Sequence, residues 1–156
     1  MTDAILTAAR QLAEGAFTEL RTVVTGLPGE ALDWRPAGPE TNSIAVLATH
    51  SMNSTRLLLH QAMGLALPER DRDAEFRATA TDPAALLSLI DTLGEECLAV
   101  LAPEATVDWS GPRQRKRSDG TVLESSAGHA LLHAVEHLRG HVDQASLTRH
   151  LWEERG

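Results

Sequence analysis

The sequence is short of aromatics, cysteine and positive charge, and each shortage narrows what the protein can be. Aromatic residues make up 3%, three Trp and two Phe with no Tyr, which argues against a stacking platform for single-stranded nucleic acid. One cysteine, Cys97, excludes an intrachain disulfide framework and a Cys-rich zinc site, and it suits a reducing cytoplasm. Lys+Arg number 14 against 22 Asp+Glu, a net charge of −8. A general nucleic-acid binder, whose affinity rests on neutralised phosphates, would not carry that balance. No apolar run approaches the ~18–20 residues that span a bilayer, so no membrane partner is expected. Met1-Thr2-Asp3 brings neither a basic start nor an apolar h-region, so no secretory leader is expected either.

What is present is ample for one domain over residues 1–156: 42% apolar and 23% charged residues, with seven histidines. Four helix-length segments alternate with breaker-rich connections. From about Thr2 to Gly26, the residues Ile5, Ala8, Leu12, Ala16, Leu20 and Val23 recur at helical steps. Two prolines and a glycine within Pro36-Ala37-Gly38-Pro39 forbid a helix there. Thr41, Asn42 and Ser43 then offer N-caps for a second segment reaching about Leu65, with the stripe Ile44, Leu47, Ser51, Ser54, Leu58 and Leu65. Residues 66–81 read as a polar, charged connection. Asp82-Pro83 opens a third segment with Leu86, Ile90, Leu93, Cys97 and Leu101, and Pro103 stops it. Ser118-Asp119-Gly120, between Arg117 and Thr121-Val122-Leu123, predicts a small hairpin. A last segment runs from Ser125 or Ser126 to about Trp152. The pattern predicts an all-α fold, a four-helix bundle with long connections.

His129, His133, His137 and His141 stand at four-residue steps on the last helix. Imidazoles at i and i+4 project from neighbouring turns and can hold one metal ion. All four cannot, because each step of four adds about 40° of rotation and 6 Å of rise. The apolar stripe Ala127, Leu131, Ala134, Leu138, Val142, Ala145 and Trp152 shows which pair faces inward. From its centre His141 lies about 60° away, His137 about 100°, His133 about 140°, and His129 almost opposite. His137 and His141 are therefore the pair at the core edge, while Glu136 points away. On the second helix His50 lies about 75° from its own stripe, with small neighbours Thr49, Ser51 and Ser54 leaving room for its ring. His60 is expected in solvent, and His150 suits the helix C-terminus as a cation. Histidines on bundle helices are commonly just hydrogen-bonded or solvated, so spacing alone leaves a metal site and an ordinary polar cluster both open.

Leu32-Asp33-Trp34-Arg35-Pro36, Asn42-Ser43-Ile44-Ala45 leading to His50, and His133-Ala134-Val135-Glu136-His137-Leu138-Arg139-Gly140-His141-Val142-Asp143-Gln144 resemble the DinB family of bacterial metal-binding four-helix bundles. The stretches, in order and at this spacing, extend over nearly the whole chain. The resemblance implies a DinB-like fold and metal histidines at His50, His137 and His141, the trio that the helical wheels also select. Family members usually have Gly before the motif's Gln; here Asp143 stands in that place, beside Gln144. Similar proteins include S-transferases and isomerases that use mycothiol or bacillithiol, so a low-molecular-weight thiol is an implied cofactor. A coordinated thiol is deprotonated, and the thiolate is the nucleophile.

The expected protein is thus a metal-dependent enzyme of the thiol S-transferase or hydrolase kind. Zn or Ni on His50, His137 and His141 would activate a thiol or water toward a small electrophilic substrate. The alternatives are a non-enzymatic metal-binding or stress-related helical-bundle dimer, and a metal-free protonation switch near pH 6–7. The run Arg113-Gln114-Arg115-Lys116-Arg117 reads either as a solvated loop or as one that attracts carboxylates of a thiol cofactor or anionic substrate. Cys97 on its apolar stripe reads as packing rather than as a nucleophile. Trp34 and Trp109 are expected to close bundle ends or to line a pocket near the metal. Leu132, Leu147 and Leu151 lie off the main stripe and predict a second contact surface, used most simply by a homodimer.

Overall fold

The computed structural model describes residues 3–117 and 119–155; Met1, Thr2 and Ser118, named in the readings above, lie outside them. Four long helices carry the fold: α1 (Ala4–Val24), α3 (Ile44–Met63), α5 (Pro83–Val100) and α6 (Ala127–Glu154). Two short helices, α2 (Gly29–Asp33) and α4 (Arg72–Glu75), interrupt the connections, and β1 (Pro112–Lys116) pairs antiparallel with β2 (Val122–Ser126). The all-α reading holds, and the hairpin forms where Asp119-Gly120 predicts it, with Gly120 at φ +85°.

Local chemistry sets the helix ends. Asp3 caps α1 by accepting from the amides of Ile5 and Leu6, and its other oxygen accepts from Trp109 Nε1 at 3.0 Å. Ser43, Asp82 and Ser126 cap α3, α5 and α6 in the same way. Gly64 ends α3 at φ +68°, a left-handed conformation that suits a residue without Cβ.

Helix α3 packs on α5 and α6, and α1 packs on the same two, so the consecutive helices α1 and α3 sit diagonally. The connection between α1 and α3 therefore crosses the end of the bundle. Additional cover from α2, α4 and β1 buries α3 on nearly all sides, from Ile44 through Ala62. Its inner surface is wider than the single stripe read from the sequence, and Leu65 falls beyond the cap, exposed.

On α1 the buried face is Leu6, Ala9, Ala13, Ala16, Phe17, Leu20, Val23 and Val24. The first half is turned by one residue from the predicted stripe, leaving Ile5 and Leu12 outside. The small side chains of Ala9 and Ala13 face the core there. The faces of α5 and α6 follow prediction closely, with Leu86, Ile90 and Cys97 buried on one and Ala127, Leu131, Ala134, Leu138, Val142 and Ala145 on the other.

Candidate metal centre

Because α3 and α6 are neighbours, their core-edge histidines meet. His50, His137 and His141 each offer a ring nitrogen, and the three nitrogens lie within 4.8 Å of one another. His50 is buried, while the other two are half-buried. His129 and His133 are exposed, as is Glu136, so the drift of the four-residue ladder separates the inner pair as expected. His60 is less open than predicted: it is half-buried, and its Nδ1 lies 2.8 Å from the Arg56 carbonyl. His150 is exposed near the end of α6.

The ring nitrogens are sorted by their neighbours. Nδ1 of His50 donates to Glu75 Oε2 at 3.0 Å, and Nδ1 of His141 donates to Gln144 Oε1 at 2.9 Å. In each ring this leaves the Nε2 lone pair free. Nε2 of His141 lies 3.3 Å from Nε2 of His137. Two nitrogens bound at about 2.0–2.1 Å to one tetrahedral zinc would stand roughly 3.3–3.4 Å apart, so the donor set fits a single ion. Nδ1 of His137 is buried without a hydrogen-bond partner among the described residues, so nothing there opposes use of its Nε2.

Electrostatics keep the two donors on α6 unprotonated. Burial, then the neighbouring rings of His141 and His50, push the His137 pKa down to about 3. Burial also lowers that of His141, against the opposing hydrogen bond that its ring donates to Gln144. Neutral imidazoles are what a divalent ion requires of its ligands.

Glu75 and Arg70 are the residues that the sequence reading missed. Arg70 grips both carboxylate oxygens of Glu75, Nε to Oε1 at 2.6 Å and a terminal nitrogen to Oε2 at 2.7 Å. Burial raises the Glu75 pKa, but the hydrogen bonds from Arg70 and His50 outweigh it, and the carboxyl stays below its usual range. Glu75 therefore faces His50 as an anion and holds its ring, the support that ligating histidines generally receive. Phe76 lies against the same ring, centroids 4.6 Å apart. One signal was available: Phe76 is one of only two Phe in the chain and stands alone in a polar stretch.

The tryptophans serve the scaffold. Trp34 meets Trp152 edge to face at 5.7 Å, and Trp109 bonds Asp3, so neither lines the space beside the triad. Cys97 is a buried free thiol, and burial pushes its pKa up to about 12, which leaves it inert. Among the described residues no helix is long and apolar enough to cross a membrane.

Comparison with known proteins agrees with the fold. A crystal structure of a conserved protein from Enterococcus faecalis has the same fold, with a TM-score of 0.72 at 14% identity and 99% of each chain covered. No curated protein matches the sequence. The sequence pattern of the DinB superfamily matches residues 12–145, from within α1 to the turn of α6 that follows His141. The chain belongs to the DinB superfamily.

Proposed function

We propose that His50, His137 and His141 bind one divalent metal ion, Zn or Ni, and that the protein is a metal-dependent enzyme acting on a small electrophilic molecule. The reaction is transfer of a low-molecular-weight thiol, or hydrolysis by water. The observation that carries the reading is the 3.3 Å spacing of the His137 and His141 Nε2 atoms, each with His50 within 4.8 Å. Three protein donors leave coordination positions open, as in catalytic sites, and an ion held there would acidify a coordinated thiol or water. The chain's own residues then have defined tasks. Glu75 and Gln144 hold two of the rings. The thiol must come from outside, since Cys97 is buried.

On this reading residues 1–156 form one cytoplasmic domain that pairs as a homodimer through the exposed Leu132, Leu147 and Leu151. Metal content by mass spectrometry on untagged protein, purified without a metal column, tests the site. The expected result is about one ion per chain, lost in His50→Ala and His137→Ala with helical content retained. Full occupancy in either variant overturns the assignment. The cobalt-substituted protein, titrated with 2-mercaptoethanol, should develop a thiolate-to-cobalt charge-transfer band. Metal without that band removes the thiol chemistry and leaves hydrolysis or simple metal binding. Light scattering on the same sample gives the mass that distinguishes one chain from two.

A further inference from the structure

A cavity of about 520 Å³ opens beside His50 and His137, walled by the 66–81 connection and the β1–β2 hairpin. That volume suits a metabolite-sized molecule. Arg70, Arg72, Arg115, Lys116 and Arg117 all line it, against the single carboxylate of Asp119. Five of the 14 Lys+Arg thus converge on one cavity in a chain whose acids outnumber its bases.

Two of the five are already engaged. Arg70 is committed to Glu75, and Arg72 lies over the Phe76 ring at 4.7 Å. Arg115 is different. It is half-buried, and its Nε is buried without a hydrogen-bond partner among the described residues. Burial and the charges of Arg70 and Arg117 lower its pKa, and no acidic partner lies within ion-pair distance of it among the described residues.

The hairpin that carries Arg115 is anchored rather than loose. Arg113 Nε donates to the Ala62 carbonyl near the end of α3, at 3.0 Å. Ser126, the last residue of β2, is the N-cap of the histidine helix. Arg115 pairs in register with Leu123 between those two anchors. A planar guanidinium whose Nε has no partner among the described residues, held in a cationic cavity, matches the two oxygens of a carboxylate or a phosphate.

We propose that this cavity binds the anionic group, carboxylate or phosphate, of the small molecule on which the histidine site acts, with Arg115 as its principal anchor and Lys116 and Arg117 at the rim. The reacting end of that molecule lies beside His50 and His137; this part rests on the function proposed above, whereas the anion site stands on the cavity alone. Neutral analogues of the substrate bind poorly for want of the anchor.

The test titrates chelator-treated, isotope-labelled protein with succinate and, separately, with inorganic phosphate, read by amide chemical shifts. Saturable shifts confined to residues 67–72, 112–117 and 126–137 are expected, and Arg115→Gln should weaken binding about tenfold or more. Arg117→Gln should weaken it less, and Arg21→Gln, on α1 and paired with Asp91 of α5, should not change it. Saturation by succinate alone identifies a carboxylate ligand, and saturation by phosphate alone a phosphate ligand; either supports the site. No saturation by either probe, or undiminished binding in both Arg115→Gln and Arg117→Gln, overturns it. Metal uptake by the same samples separates the two proposals. One ion per chain with no anion binding sinks only this inference. Anion binding in a protein that takes up no metal sinks only the function proposed above.

Discussion

At the scale of single residues, the Glu75 carboxylate shows how the triad is supported. It is 4% exposed, and an isolated charge so placed would be protonated. Arg70 prevents that by bonding both oxygens, and His50 supplies the remaining donor. Replacing Glu75 with Gln keeps a hydrogen-bond acceptor for the ring but removes the anion and leaves Arg70 without its bidentate partner. Metal affinity should fall about 10–100-fold, the usual cost of losing such a support. Competition against a chromophoric chelator measures it, with circular dichroism to show that the helices persist. Unchanged affinity would mean that Glu75 serves only to neutralise Arg70. Apart from the isolated Phe76, none of this was legible beforehand, because the helical period relates residues within one helix. The period placed His137 and His141 on the inner edge correctly. It holds no information on which side chain of a separate connection returns to His50.

At the scale of elements, the segment bearing Glu75 is held by contacts far away in the sequence. Asp33 Oδ1 accepts from the Ala80 amide at 2.7 Å, which pins the end of the 66–81 connection to α2. Gly29 permits that approach: a Cβ there would lie 2.7 Å from the Ala80 carbonyl oxygen, a backbone atom that cannot step aside cheaply. Gly29→Ala should therefore lose about 1–3 kcal/mol of stability, the typical cost of overpacking, by urea denaturation of metal-free protein. It should also weaken metal binding, since the strain falls on the segment that carries Glu75. A stability equal to wild type would show that the two loops separate freely. Asp33 belongs to the Leu32–Pro36 stretch that carries the family resemblance, and its contact explains what part of that stretch does. The four long helices were legible because each repeats its pattern over 18–28 residues with a cap at its start. Helix α4 has four residues, less than the pattern needs to declare itself.

At the scale of the whole molecule, the buried titratable groups link stability to pH. A histidine in the unfolded chain takes up its proton near 6.5, whereas folded His137 does so near 3. Between those values the unfolded state binds more protons, so the free energy of unfolding rises with pH across that window. Glu75 acts in the same direction: its contribution is present above its ordinary value of 4.5 and is lost as the pH falls through its lowered folded value. Chelator-treated protein should therefore be most stable above about pH 6.5 and lose stability steadily below it. Denaturant midpoints from pH 8 down to 4 check this, and a flat profile would show that His137 titrates normally in the folded state. With His137 held neutral down to about pH 3, that ring does not take part in a protonation switch near pH 6–7.

The sequence by itself determined the four long helices, the caps of the last three, the hairpin turn and the inward pair on α6. These are local properties: a period, a capping oxygen or a glycine's freedom acts within a few residues. Only the tertiary structure decided the rotation of α1, the partnership of His50 with Glu75 and Arg70, and the convergence of five cations on one cavity. Each of these depends on which distant segments are packed side by side. That choice is made by the burial of all four helices together, with α3 enclosed between α5 and α6 and covered by the connections.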